Sequence, residues 1–344
     1  MTRSFDPDAA ALEGTGIYGL PHTPDEARVV VLPVPFAATT SYGGGAQGGP
    51  AAILSASRQV DLFDLETGRP YEQGIAMLDA APEVSAWDRE ARALAERVIA
   101  VGGDIGDDAE LAQCLARVNA RCEQLDARVY EDTRAWLDRG KLVALVGGDH
   151  AVPLGCIMAH AERYPGMGVL HLDAHADLRV AYEGFTRSHA SIMYNVLERA
   201  PGVAKLVQVG VRDLSNDEHD RIRGSKGRVE TFFDADLHAR RFEGESWAKI
   251  VGAIVAALPM DVYLSFDIDG LDPTLCPRTG TPVPGGLSFQ EAAYMVRAVA
   301  RSGRRIVGMD LVEVVPGPDG DEWDGNVAAR LLYKMIGNAL STSR

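Results

Sequence analysis

Two aspartate-histidine clusters, Asp173-Ala174-His175-Ala176-Asp177 and Asp267-Ile268-Asp269, each follow a short apolar run, and Gly147-Gly148-Asp149-His150 does the same. Side chains two apart along an extended chain point to one side. Asp173, His175 and Asp177 can therefore converge beyond a strand end, as can Asp267 and Asp269. Carboxylates crowded into one small volume repel unless cations lie between them, so the pattern reads as a site for two metal ions. Carboxylate-rich ligation with one or two imidazoles suits hard to borderline divalent ions. Manganese is the first choice, and nickel, cobalt or zinc also fit. Two ions sharing carboxylates can hold a water and lower its pKa from about 15.7 towards about 7, giving a nucleophile for a poor electrophile.

Other residues have two readings each. His150 reads as a ligand, whereas its neighbour Asp149 reads as a cap for a helix starting near Val152. His171 lies on the same side of its strand as Asp173 but deeper, as a core or supporting histidine. His189, in Arg187-Ser188-His189-Ala190-Ser191, opens an expected helix and could move a proton; its alternative is a surface histidine. Glu313 ends an apolar stretch, either at the site or in an edge-strand salt bridge.

The elements that position these residues alternate. Apolar runs at 28–34, 142–146, 167–172, 204–209, 262–266 and 305–309 read as strands. Helical periodicity marks 49–57, 108–139, 188–199, 246–258 and 288–302. Continuous apolar strands alternating with helices imply a parallel sheet covered on both faces, in which ligands bind beyond the carboxyl ends of strands. All three motifs fall at such ends. Residues 1–27, rich in Asp, Gly and Pro, read as an N-terminal arm over the domain or over a neighbouring subunit, with 28–344 as a single catalytic domain. The glycines of Tyr42-Gly43-Gly44-Gly45 lack the spacing of a nucleotide cradle.

The 344 residues are 46% apolar and 24% charged, enough for a large core. A net charge of −15 disfavours nucleic acid and anionic membranes as partners and is compatible with a cationic small substrate. The absence of a signal-like start, and of any apolar run near the roughly 18 residues of a membrane span, points to the cytoplasm. Cys114, Cys122, Cys156 and Cys276 lack disulfide or CxxC spacing and are expected to be reduced.

Taken in order, Gly147–His150, Asp173–Asp177 and Ser265–Pro273 resemble the three metal motifs of the ureohydrolase family, the arginase and agmatinase group. The loop Thr279–Leu287 resembles the segment that follows them, and the match runs from about Val29 to Asn338. The resemblance implies an arginase-like, three-layer α/β/α fold with a mostly parallel sheet of about eight strands. It also implies two Mn2+ per chain, with Ni2+ or Co2+ as substitutes, and hydrolysis of a guanidino compound to an amine and urea. One ion would take His150, Asp173, Asp177 and Asp267, and the other His175, Asp173, Asp267 and Asp269. A metal-bridging hydroxide, oriented by Asp177, would attack the guanidinium carbon; Glu313 would pair with the guanidinium and His189 would carry protons. A homo-oligomer, trimer or hexamer, is implied as well.

Departures from the family concern the substrate. Arg179 stands where arginases carry an asparagine, so an α-amino acid tail fits poorly and the chain reads as agmatinase-like. Asp177-Leu178-Arg179 resembles the formiminoglutamase branch, but His189 is a feature of the agmatinase side. Guanidinobutyrate, guanidine, arginine and formiminoglutamate stay open as substrates. A one-zinc deacetylase of related fold and a non-catalytic regulatory homologue remain as alternatives.

Overall fold

The computed structural model describes residues 5–12 and 14–342. Eight strands occur among them: β1 (Val29–Val34), β2 (Ile75–Met77), β3 (Leu142–Gly147), β4 (Met167–Leu172), β5 (Val203–Val209), β6 (Val229–Phe232), β7 (Asp261–Asp267) and β8 (Arg305–Val312). The α-helices are α1 (Gly49–Ser57), α2 (Pro82–Ile99), α3 (Ala109–Asp138), α4 (Leu154–Arg163), α5 (Ile192–Arg199), α6 (Asn216–Gly224), α7 (Asp234–Phe242), α8 (Trp247–Ala257), α9 (Phe289–Arg301) and α10 (Trp323–Thr342). The strands form one sheet in the order β2-β1-β3-β8-β7-β4-β5-β6, every pairing parallel.

Both faces of this sheet are covered. Along β3, Leu142, Ala144 and Val146 enter a core shared with Ile53 of α1, Ile254 of α8, Val296 of α9 and Leu332 of α10. Val143 and Leu145 enter a second core with Ala91 of α2, Val118 of α3, Ile157 of α4 and Val196 of α5. The result is three layers, and the double coverage explains why the strands read as unbroken apolar runs. Each buried Val or Leu contributes roughly 1.5–3 kcal/mol.

Local signals set the helix ends. Asp108 accepts hydrogen bonds from the Glu110 and Leu111 amides and starts α3, whose stripe Cys114, Val118, Cys122, Leu125 and Val129 is buried. Ser288 and Glu291 form a reciprocal capping box at α9. The expected strands and most expected helices are present. Over 188–199, however, the helix begins only at Ile192, preceded by a 3-10 turn at His189–Ser191.

Unforeseen are β2, β6, α2, α6, α7 and α10. The edge strands β2 and β6 are short, and β6 is only partly buried. α10 is buried around most of its circumference, which blurs helical periodicity. Among the described residues before 27, Ile17, Tyr18 and Leu20 are buried, and the Tyr18 hydroxyl donates to the Ala329 carbonyl at 3.0 Å. No helix among the described residues is long and apolar enough to cross a membrane.

Candidate active site

The four central strands β3, β8, β7 and β4 are neighbours, so the residues that follow them are brought together. β4 ends at Leu172, and Asp173–Asp177 continues as irregular chain, bent at Ala174 and with an isolated parallel bridge from His175 to Asp213. The motif therefore lies just beyond the strand end, where local hydrogen bonds shape the chain. The His175 amide donates to Asp173 Oδ1 at 2.6 Å, and Asp177 adopts a left-handed backbone with φ 54°. The Asp177 carbonyl accepts from the amides of Met193 and Tyr194 at the start of α5. Beyond β7 the same device recurs. The Asp269 amide donates to Asp267 Oδ1 at 2.8 Å, and the Ala174 amide donates to Asp269 Oδ1 at 3.0 Å, which joins the two motifs.

His150 presents Nδ1 to three carboxylates: Asp173 at 2.9 Å, Asp177 at 3.3 Å and Asp267 at 3.3 Å. His175 Nδ1 lies 3.1 Å from Asp269 and 3.4 Å from the other oxygen of Asp173. Two nests thus share Asp173, one around each imidazole. His150 Nε2 faces Ser265 Oγ at 2.9 Å, and Ser265 donates to the buried Asp310 at 3.0 Å. With its proton on Nε2, His150 keeps the Nδ1 lone pair for a cation. Sequence reading missed Ser265 and Asp310; Ser265 shares a strand face with Asp267, two residues on, and that was the available signal.

Asp149 does not cap α4. It is fully buried, its Oδ1 accepts from the Ala151 amide at 3.1 Å, and α4 starts only at Leu154. His171 is buried and reaches Asp173 Oδ2 at 2.8 Å. Glu313 follows β8 in the middle of the sheet, not at an edge. Its backbone is left-handed, φ 62°, and Oε1 accepts from the His150 amide at 2.9 Å. No lysine or arginine pairs with Asp173, Asp177, Asp267, Asp269 or Glu313 among the described residues.

Electrostatics record the resulting crowding. Burial, then Asp173, pushes the Asp177 carboxyl up to about 7, and burial with Asp269 and Asp173 raises Asp267 well above the usual carboxylate range. Burial followed by Asp149 does the same to Glu313. Burial opposes a charged imidazole, yet Asp269 and Asp173 push His175 up to about 12. Such a cluster holds protons where divalent cations would relieve the repulsion, and its oxygen-rich donors with two imidazoles fit that replacement.

A cavity of about 160 Å³ opens onto His175, Asp177 and His189. His189 Nδ1 is buried without a hydrogen-bond partner, and burial together with His175 and His150 pushes its pKa down to about 4. Arg179 lines the cavity with Nε 3.6 Å from Glu218 and its guanidinium 5.1 Å from the centre of the Tyr182 ring. Phe185 is fully buried and does not line it. A larger hollow of about 580 Å³, bounded by α5, α6 and β6, contains none of the motif residues.

Residues 27–337 match the model of the arginase family. The chain belongs to that family. It is accordingly a hydrolase of carbon-nitrogen bonds in linear amidines, agmatinase-like, as its motifs implied. It is 36% identical to the N(1)-aminopropylagmatine ureohydrolase of Thermus thermophilus over 93% of this chain and 94% of that one. It is 34% identical to an agmatinase of Sodalis glossinidius over 90% and 87%. The fold matches the agmatine ureohydrolase of Thermoplasma volcanium with a TM-score of 0.71 at 22% identity, covering 96% of each chain. Membership of this family implies a two-metal site, and the histidine-aspartate cluster supplies donors for one.

Proposed function

We propose that this arginase-family hydrolase cleaves a guanidino compound with an amine-bearing tail, releasing urea and the amine. The observation that carries the reading is the pair of buried nests sharing Asp173, without a basic partner, at the mouth of one cavity. His150, Asp173, Asp177 and Asp267 would hold one divalent ion, and His175, Asp173, Asp267 and Asp269 the other. When bound, the two ions, manganese in our reading, supply a water acidic enough to attack at neutral pH.

The protein's own groups do the rest. Asp177 accepts a hydrogen bond from the attacking water and orients it towards the guanidinium carbon. Glu313 spends Oε1 on the His150 amide and leaves Oε2 beneath Gly280 to pair with the guanidinium. As the carbon-nitrogen bond breaks, the departing amine needs a proton. His189, neutral and without a partner on Nδ1, faces the cavity and can relay it.

The tail is read from charge. Arg179 is held by Glu218 and stacked on Tyr182, so its charge is already engaged, while Asp213 lines the cavity without an ion pair among the described residues. That balance favours a cationic tail over a carboxylate, in keeping with the names of the two relatives. Urea release should be measured from agmatine, N1-aminopropylagmatine, guanidinobutyrate, arginine and formiminoglutamate, with manganese and with nickel. The expected outcome is kcat/KM at least roughly tenfold higher for an amine tail than for an acid tail. Faster turnover of guanidinobutyrate, or formamide from formiminoglutamate with no urea from any guanidino compound, would overturn it. A trimer or hexamer goes with the family resemblance, and the mass in solution tests it.

A further inference from the structure

Register places Thr231 of β6 beside Gln208 of β5, Gln208 beside His171 of β4, His171 beside Ser265 of β7, and Ser265 beside Asp310 of β8. In-register neighbours project to one face, so these five polar side chains cross the sheet as a single row beneath the site. All are buried except the half-buried Thr231. Polar groups inside an apolar sandwich are costly unless each finds a partner. The Ser265–Asp310 end serves His150; the other end has its junction at Gln208.

Gln208 Nε2 lies 2.7 Å from the Ala176 carbonyl and 3.0 Å from His171 Nδ1, and Oε1 accepts from Thr231 Oγ1 at 2.9 Å. A carbonyl only accepts, so the amide nitrogen must face Ala176, which fixes the orientation of the amide. The second N–H of that nitrogen then points at His171 Nδ1, which must be the unprotonated ring nitrogen. The ring proton is left on Nε2, 2.8 Å from Asp173 Oδ2.

We propose that Gln208 is a positioning residue for the hydrolytic centre. It fixes the His171 proton on Nε2 so that His171 donates to Asp173, the carboxylate shared by both nests, and through Ala176 it holds the chain between His175 and Asp177. This rests on reading the cluster as a two-metal centre. Supporting hydrogen bonds of this kind aim a ligand's remaining lone pairs, and their loss weakens metal binding about 10- to 100-fold.

The test uses full-length wild type, Gln208→Met and Thr231→Val, stripped with chelator and titrated calorimetrically with Mn2+ alone, beside thermal melts of the stripped proteins. Gln208→Met should bind Mn2+ about 10- to 100-fold more weakly, with KM for agmatine unchanged once Mn2+ is saturating. Thr231→Val, which frees only the amide oxygen, should show a smaller loss and melt as wild type does. The proposal is overturned if both variants bind Mn2+ as wild type does, or if Gln208→Met fails to fold and Thr231→Val keeps full affinity. It also falls if KM rises at saturating Mn2+. A wild type that binds no Mn2+ removes the two-metal reading itself, and this proposal with it.

Discussion

Glu313 and Asp267 stand at the ends of neighbouring strands and have different tasks. Asp267 lies 3.3 Å from His150 Nδ1 with the cluster around it, whereas Glu313 touches the cluster only through the His150 amide. Asp267→Asn should therefore bind fewer than two metal ions per chain and lose turnover. Glu313→Gln should keep its metal and lose about 100- to 1000-fold in kcat/KM, the scale seen when one preorganised electrostatic partner is removed. Metal analysis beside kinetics separates them, and metal loss from Glu313→Gln would contradict the assignment. The identities of these residues were legible because all six ligand candidates lie within motifs of five or fewer residues. Their conformations were not: the left-handed backbone of Asp177 and Glu313 depends on what packs against each segment.

At the scale of elements, α3 and α4 support the face of the sheet on which Asp149 and His150 are presented. Their close approach depends on Gly155, where a Cβ would fall 2.2 Å from the Asp126 carbonyl oxygen and 2.7 Å from the Tyr130 amide nitrogen. Both obstacles are helix backbone and cannot rotate away. Gly155→Ala should cost about 1–3 kcal/mol, read as a lower urea midpoint of the stripped protein with an unchanged slope. A midpoint equal to that of wild type would show that the helices can separate freely. The limits of α3 and α9 were readable from their caps and stripes. β6 was not, since a short, partly exposed edge strand carries little local signal and forms by pairing with β5.

Across the whole molecule, stability should depend on acid through more than the site. His160 of α4 is fully buried where Gly308 of β8 leaves room for its ring, and burial pushes its pKa down to about 4. The unfolded chain, with an ordinary histidine near 6.5, binds the proton more readily. The native state is therefore favoured fully above about pH 6.5, and that contribution, on the order of 3 kcal/mol, is lost as pH falls towards 4. Replacing His160 by Leu should flatten the stability profile by about one proton between pH 4 and 6.5 in chelator-treated protein. An unaltered slope would show that another group carries the dependence.

The sequence by itself determined the chemistry: which acids and imidazoles are present, their order, and their place after apolar strands. Those are local patterns, written in residue types and spacings. Only the tertiary structure decided that β8 runs centrally, which selects between the two readings of Glu313 and leaves it a neighbour of His150 and not an edge residue, and that Glu218 engages Arg179. It also aligned Thr231, Gln208, His171, Ser265 and Asp310, residues up to 139 positions apart, into one row. Parallel strands join through crossovers, so their neighbours are remote in the chain, and register is set by packing both faces of the sheet together.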